Sequence, residues 1–172
     1  PTINAGVYAI LNIDSEILKD ASVRSALRYG LDIKRIKKDI GYNPLSADLP
    51  ILDSQIASLK NIKISQYNQD KANDILEKAG WKRDVSGIRT KNNEKLILRI
   101  ALKKDNEYEK VAKNIADQWR LLGIESQISI TDTSDPTQNF ASLVLQPRDY
   151  DVLIYNRRRY QSPKAVPIHA VS

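Results

Sequence analysis

Asp149 and Asp151 stand two residues apart, ahead of the apolar run Val152-Leu153-Ile154-Tyr155. In an extended chain that spacing puts both carboxylates on one face, where a pair of acids can divide general-acid and general-base roles. No histidine, metal ligand or third acid stands near them, so they read first as turn and strand-leading residues. A hydrolase-like domain using this pair is the rival reading. The single histidine, His169, lies three residues from the end and has no second imidazole to share a metal or a proton relay. Without cysteine there is no disulfide framework, zinc finger, iron–sulfur site or thiol nucleophile. The six glycines stand singly, at positions 6, 30, 41, 80, 87 and 123, so no glycine-rich phosphate loop exists. Neither catalytic residues, a metal nor a cofactor is expected.

Charge points to a surface rather than a site. The chain carries +6 overall, and the excess sits in residues 61–120 with acids interspersed. That is a mixed solvated surface, not a stripe that follows phosphates, so a basic nucleic-acid-binding module is a minor alternative. Arg157-Arg158-Arg159 is the one dense cluster and reads as a solvated loop.

The elements that would position these groups follow from periodicity. Val7–Ile13 suits a buried strand. Asp20 caps a helix with Val23, Ala26, Leu27 and Leu31 on one face, and Gly30 stops it. Asp32 caps a second with Ile33, Ile36 and Ile40. Residues 43–61, with Pro44 and Pro50, read as a long loop. Asp70 starts the next helix, with Ala72, Ile75, Leu76 and Ala79 as its apolar stripe. Gly80 ends it, and Trp81 packs back on Leu76.

Ile88–Thr90 and Leu96–Leu102 flank a turn at Lys91–Lys95, the second strand alternating between an apolar and a mixed face. A long helix over 107–122 carries Tyr108, Val111, Ala112, Ile115, Trp119 and Leu122 on one face. Ile124–Ile130 returns as a strand with Ile124, Ile128 and Ile130 in phase, and such a strand–helix–strand unit predicts parallel pairing. Asp135-Pro136 opens a helix whose buried side is Phe140, Leu143 and Val144, and Tyr150–Tyr155 is the last strand. Residues 157–172 have no amphipathic period and read as an irregular or mobile tail. One domain over 1–156, of α/β class with a mixed β-sheet flanked by helices, accounts for the order.

Several of these segments, in this order, resemble the extracellular solute-binding proteins of the peptide/nickel class that serve ABC importers. Asp20-Ala21-Ser22-Val23-Arg24-Ser25-Ala26-Leu27-Arg28-Tyr29-Gly30-Leu31-Asp32 is similar to that family's D-x-x-V-R-x-A-L-x-x-A-I-D segment. Lys71-Ala72 with Ile75–Trp81 resembles its A-x-x-L-L-x-E-A-G-W motif, and Gly87–Leu102 the hairpin and strand that follow. Ile115–Ile124 resembles its helix end before I-G-I, and Asp149–Leu153 its x-Y-D strand.

The resemblance implies one lobe, the C-terminal one, of a type II periplasmic-binding-protein-like clamp of roughly three times this length. It implies a captured oligopeptide or other small solute between this lobe and another. Further implications are ABC-transporter permease subunits as partners, a monomeric state, and a place in the periplasm or on the extracellular face of the cytoplasmic membrane. As a lipoprotein it would touch membrane only through a lipid anchor outside this stretch. Pro1 in place of Met fits a processed product or fragment of a longer chain.

By position after the Y-D strand, Tyr155, Asn156, Arg157 and Tyr160 are the ligand-facing candidates. The family's peptide binders commonly carry an aspartate there for the ligand's ammonium. This chain has no acid after Asp151, and its arginines would attract a carboxylate instead, unless the loop is non-native or incomplete. A directly ligated nickel ion is disfavoured by the lack of histidine and cysteine.

Overall fold

The structure is a computed structural model and describes residues 7–41, 51–53 and 66–156. The 157–172 tail and two of the ligand-facing candidates, Arg157 and Tyr160, lie outside the described residues.

A five-stranded mixed sheet forms the centre. Its strands are β1 (Val7–Leu11), β2 (Ile51–Asp53), β6 (Ile97–Lys103), β7 (Glu125–Thr131) and β8 (Val152–Asn156), in the order β2-β1-β8-β6-β7. β6 pairs in parallel with both β7 and β8, and β1 pairs in parallel with β2; the β1–β8 pairing alone is antiparallel. Strands β3 (Lys82–Arg83), β4 (Arg89–Lys91) and β5 (Glu94–Lys95) make a small antiparallel sheet beside it. The helices are α1 (Ala21–Tyr29), α2 (Ile33–Asp39), α3 (Gln69–Lys78) and α4 (Asn106–Arg120).

The principal core lies on the sheet face that presents Val7, Ala9 and Leu11 of β1, Leu98, Ile100 and Leu102 of β6, and Val152 and Ile154 of β8. Helices α1, α3 and α4 cover that face with Val23, Leu27, Leu76, Val111, Ile115 and Trp119. Trp119 is fully buried and its indole N–H donates to the Leu27 carbonyl at 3.1 Å, which joins α4 to α1. Gln118 adds a second tie: its Oε1 accepts from the Asp32 N–H at 2.7 Å. The opposite face carries a smaller cluster of Ala101, Phe140, Val144, Tyr150 and Leu153.

The capping chemistry is largely as the residue types require. Asp20 accepts from the Ser22 N–H and Asp32 from the Arg35 N–H, each satisfying an orphan amide of the first turn. For α3 the cap is Asn68, which accepts from the Lys71 N–H, and Asp70 sits within the first turn instead. Gly80 takes a left-handed φ of +89° and the Trp81 N–H returns to the Leu76 carbonyl at 2.9 Å, the expected helix stop.

Other expectations are corrected. The predicted loop over 43–61 contains β2, whose three residues pair with Ala9–Leu11; two prolines obscured a strand too short to show a period. The strand expected over Leu96–Leu102 is β6, but the turn expected over Lys91–Lys95 is shorter. Glu94 and Lys95 pair with β4 across a tight turn with Asn92 and Asn93 both left-handed, and only residues 97–103 join the main sheet. β7 has Ile128 and Ile130 in phase with Ile100 and Leu102, yet they remain 39% and 45% exposed, because among the described residues β7 is paired on one side only. After Asp135 the chain makes turns and one π-helical turn (Ala141–Leu145) rather than an α-helix. Phe140 and Val144 are buried there, but Leu143 is exposed. No helix among the described residues is long and apolar enough to cross a membrane.

Candidate functional site

The three parallel strands β6, β7 and β8 all finish at one end of the sheet, and β1 begins there. Open α/β sheets offer ligands their crevice at the carboxyl ends of parallel strands, because the loops diverge at that end. Val7 is the Cα partner of Asn156, and Tyr8 that of Tyr155. Two neighbouring, paired strands thus meet at this same end, β1 with its first residue and β8 with its last. Tyr155 is half-buried and packs against the smaller cluster. Asn156 is the last residue of β8.

The loops around this end are held by an ion pair that sequence reasoning missed. Lys104 Nζ lies 2.5 Å from Asp132 Oδ2, and Asp132 also accepts from the Ser134 N–H and hydroxyl. Lys104 first, then Ser134, hold the Asp132 carboxyl down at about 2. The Lys104 N–H donates to the Thr131 carbonyl, tying the loop after β6 to the end of β7. The recoverable signal was the strand–helix–strand unit itself, which brings the residues after both strands to one edge.

Asp149 and Asp151 lie at the other end. Four residues of strand separate Asp151 from Tyr155, roughly 13 Å. Asp151 is buried, accepts the Arg99 N–H at 2.7 Å and meets the Arg99 Nε at 3.3 Å. Asp149 pairs with the Arg99 Nη1, and these two carboxylates, Asp151 foremost, push the Arg99 guanidinium pKa up. The carboxylates are thus spent on one arginine and on the start of β8. Asn12 completes the knot by donating to the carbonyls of Arg148 and Tyr150. Among the described residues no group of three or more His, Cys, Asp or Glu is placed to hold a metal.

A sequence model described as "Bacterial extracellular solute-binding proteins, family 5 Middle" matches residues 2–164. The chain belongs to this family. The oligopeptide-binding protein AppA of Bacillus subtilis (strain 168) is 28% identical over 173 residues, covering 85% of this chain and 30% of that protein. The structure of Bacillus subtilis AppA in complex with a nonapeptide superposes with a TM-score of 0.66 at 26% identity, over 88% of this chain and 31% of that one. NikZ from Campylobacter jejuni in complex with Ni(L-His) gives a TM-score of 0.65 at 25% identity, over 90% and 32%. The chain spans 19–30% of the length of the curated relatives it matches. Those relatives are binding proteins rather than enzymes.

The family 5 assignment explains what the recurrent motifs are for. Asp20 caps α1, and Arg24 donates from Nη1 to the carbonyls of Leu18 and Lys19. Val23, Ala26 and Leu27 fill the core. Gly80-Trp81 closes α3, and the Tyr150-Asp151 pair anchors β8. These motif residues cap helices, fill the core or anchor the start of β8.

Proposed function

We propose that this chain is the C-terminal, substrate-capture lobe of an ABC-importer solute-binding protein that takes oligopeptides. The lobe comprises residues 1–156, with 157–172 continuing beyond it. The adjacency of Val7 and Asn156 at the carboxyl ends of the parallel strands carries this reading. A domain entered and left through two paired strands can rotate about them as a hinge, while the crevice at that end meets whatever the flanking chain builds. The AppA structure in complex with a nonapeptide supports a peptide as the guest. Closure of two lobes buries an extended peptide mainly through its backbone, which makes side-chain preference broad. Delivery to permease subunits at the extracellular or periplasmic face of the cytoplasmic membrane follows from the same reading.

Native mass spectrometry of the whole protein that contains this chain, purified without refolding, tests it. Co-purified peptides of mixed sequence are expected. A protein that carries only a metal chelate, and that no peptide pool displaces, would overturn the peptide assignment.

A further inference from the structure

Helix α2 presents cations on its outer side that neither folding nor solute capture uses. Ile33 and Ile36 of α2, with Ile40 just past its end, pack against the principal core, while Lys34, Arg35 and Lys38 stand exposed. The one acid on the helix, Asp39, is shared between Arg35 Nε at 3.7 Å and the Asn114 amide of α4, which donates to it at 2.7 Å. Lys34 and Lys38, one turn apart on the same side, are left without an ion-pair partner among the described residues. The Asn114–Asp39 bond also sets α2 beside α4. Lys110 lies one turn before Asn114 on α4, exposed and likewise unmatched, and extends the basic surface past the end of α2.

The composition of this surface decides what kind of partner it fits. Among the described residues no exposed large apolar side chain lies on α2, and the one at the end of α4, Leu121, is about three turns from Lys110. A protein interface would carry aromatic or apolar anchors at its centre and would be poor in lysine. Compact ammonium charges on flexible stems suit a diffuse layer of negative charge instead.

We infer that the outer surface of α2, together with Lys110, is a docking surface for anionic lipid headgroups that lays this flank of the lobe on the membrane. The family resemblance confines membrane contact to a lipid anchor, so this contact is an additional one, made by the folded lobe itself. It goes beyond the capture reading, which stands whichever way the test falls. An unmatched lysine at an anionic surface is worth about fivefold in partitioning, so three together give about a hundredfold.

The test is co-flotation of the 172-residue chain with vesicles of equal parts phosphatidylglycerol and phosphatidylcholine, and with vesicles of phosphatidylcholine alone. The parent chain is expected to partition about a hundredfold more strongly onto the anionic vesicles and to be released at about 0.5 M NaCl. Combining Lys34→Gln, Lys38→Gln and Lys110→Gln should abolish the preference, whereas Lys34→Arg, Lys38→Arg and Lys110→Arg together should keep it. Combining Lys19→Gln, Lys78→Gln and Lys95→Gln removes the same net charge from exposed positions elsewhere and should leave most of the binding. Equal losses in the two glutamine triples would show net charge alone at work and overturn the surface, as would a parent chain indifferent to lipid composition. If the parent chain binds soluble polyglutamate through these lysines but not the anionic vesicles, the partner is an acidic protein surface and the lipid assignment falls.

Discussion

Arg89 is 1% exposed, and its guanidinium donates four hydrogen bonds. Nε donates to the Leu122 carbonyl at 2.7 Å, Nη1 to the Trp81 carbonyl at 2.6 Å and to Glu77, and Nη2 to Asn73 Oδ1 at 2.9 Å. One side chain thus ties the small sheet to α3 and to the end of α4. Arg89→Met removes the fork and strands two buried carbonyls, so chemical denaturation should show a loss of about 3 kcal/mol. Arg89→Lys should recover little of it, since one ammonium cannot reproduce the planar geometry. Glu77 gives the same cluster a pH signature. Lys82 and then Arg89 hold its carboxyl at about 2, below the ordinary 4.5. A depressed acid stabilises the fold above its unfolded pKa, and that contribution fades as pH falls from about 4.5 towards 2. The thermal midpoint of Glu77→Gln should therefore lie below that of the parent protein at pH 6 and approach it at pH 2.5.

At the scale of elements, two of the left-handed glycines that follow helices, Gly80 and Gly123, separate backbone strain from crowding. Gly80 has a φ of +89°, and a Cβ there would meet nothing nearer than Lys91 Cε at 3.7 Å. Gly123 has a φ of +82°, and its Cβ would lie 2.8 Å from the Gly87 carbonyl and 3.0 Å from Arg89 Cγ. Gly80→Ala should cost about 1–2 kcal/mol, the left-handed penalty alone. Gly123→Ala should cost more, because the Gly87 backbone must also shift; equal losses in urea unfolding would contradict this. Helix stops of this kind, with the caps Asp20 and Asp32 and the 3–4 spacing of α4, were legible because they act through neighbours in sequence. β2 was not, since its pairing with β1 is its main justification and lies forty residues away. The segment after Asp135 misled for a related reason. Asp135 and Pro136 supply a good cap, but the Asp135 carboxylate closes a local turn on the Thr137 N–H and hydroxyl, and no helix propagates from it. At the candidate site, position after the Y-D strand points to Tyr155 and Asn156, while the pairing of that strand end with the start of β1 is visible only in the strand register.

For the whole molecule, the outcome turns on which sheet edges are covered. The sheet begins at β2 and ends at β7, and among the described residues β7 pairs only with β6. Its six residues from Ser126 to Thr131 carry no charge and no proline, and they present Ile128 and Ile130 half-exposed beside an open row of backbone groups. Natural edges are usually guarded by charge, proline or a bulge, because an open apolar edge recruits another strand. Antiparallel pairing of β7 with its counterpart on a second chain, centred on Ser129, would set Ile128 against Ile130 and bury all four isoleucines. The 172-residue chain alone should therefore self-associate with rising concentration, in contrast to the monomer that the family resemblance implies. Ile130→Lys places a charge on this edge without touching the main core, so it should shift sedimentation-velocity profiles towards the monomer while leaving the thermal midpoint within about 1–2 °C. Profiles that do not change with concentration in the parent chain would show the edge to be protected. An unchanged association in Ile130→Lys would place the contact elsewhere.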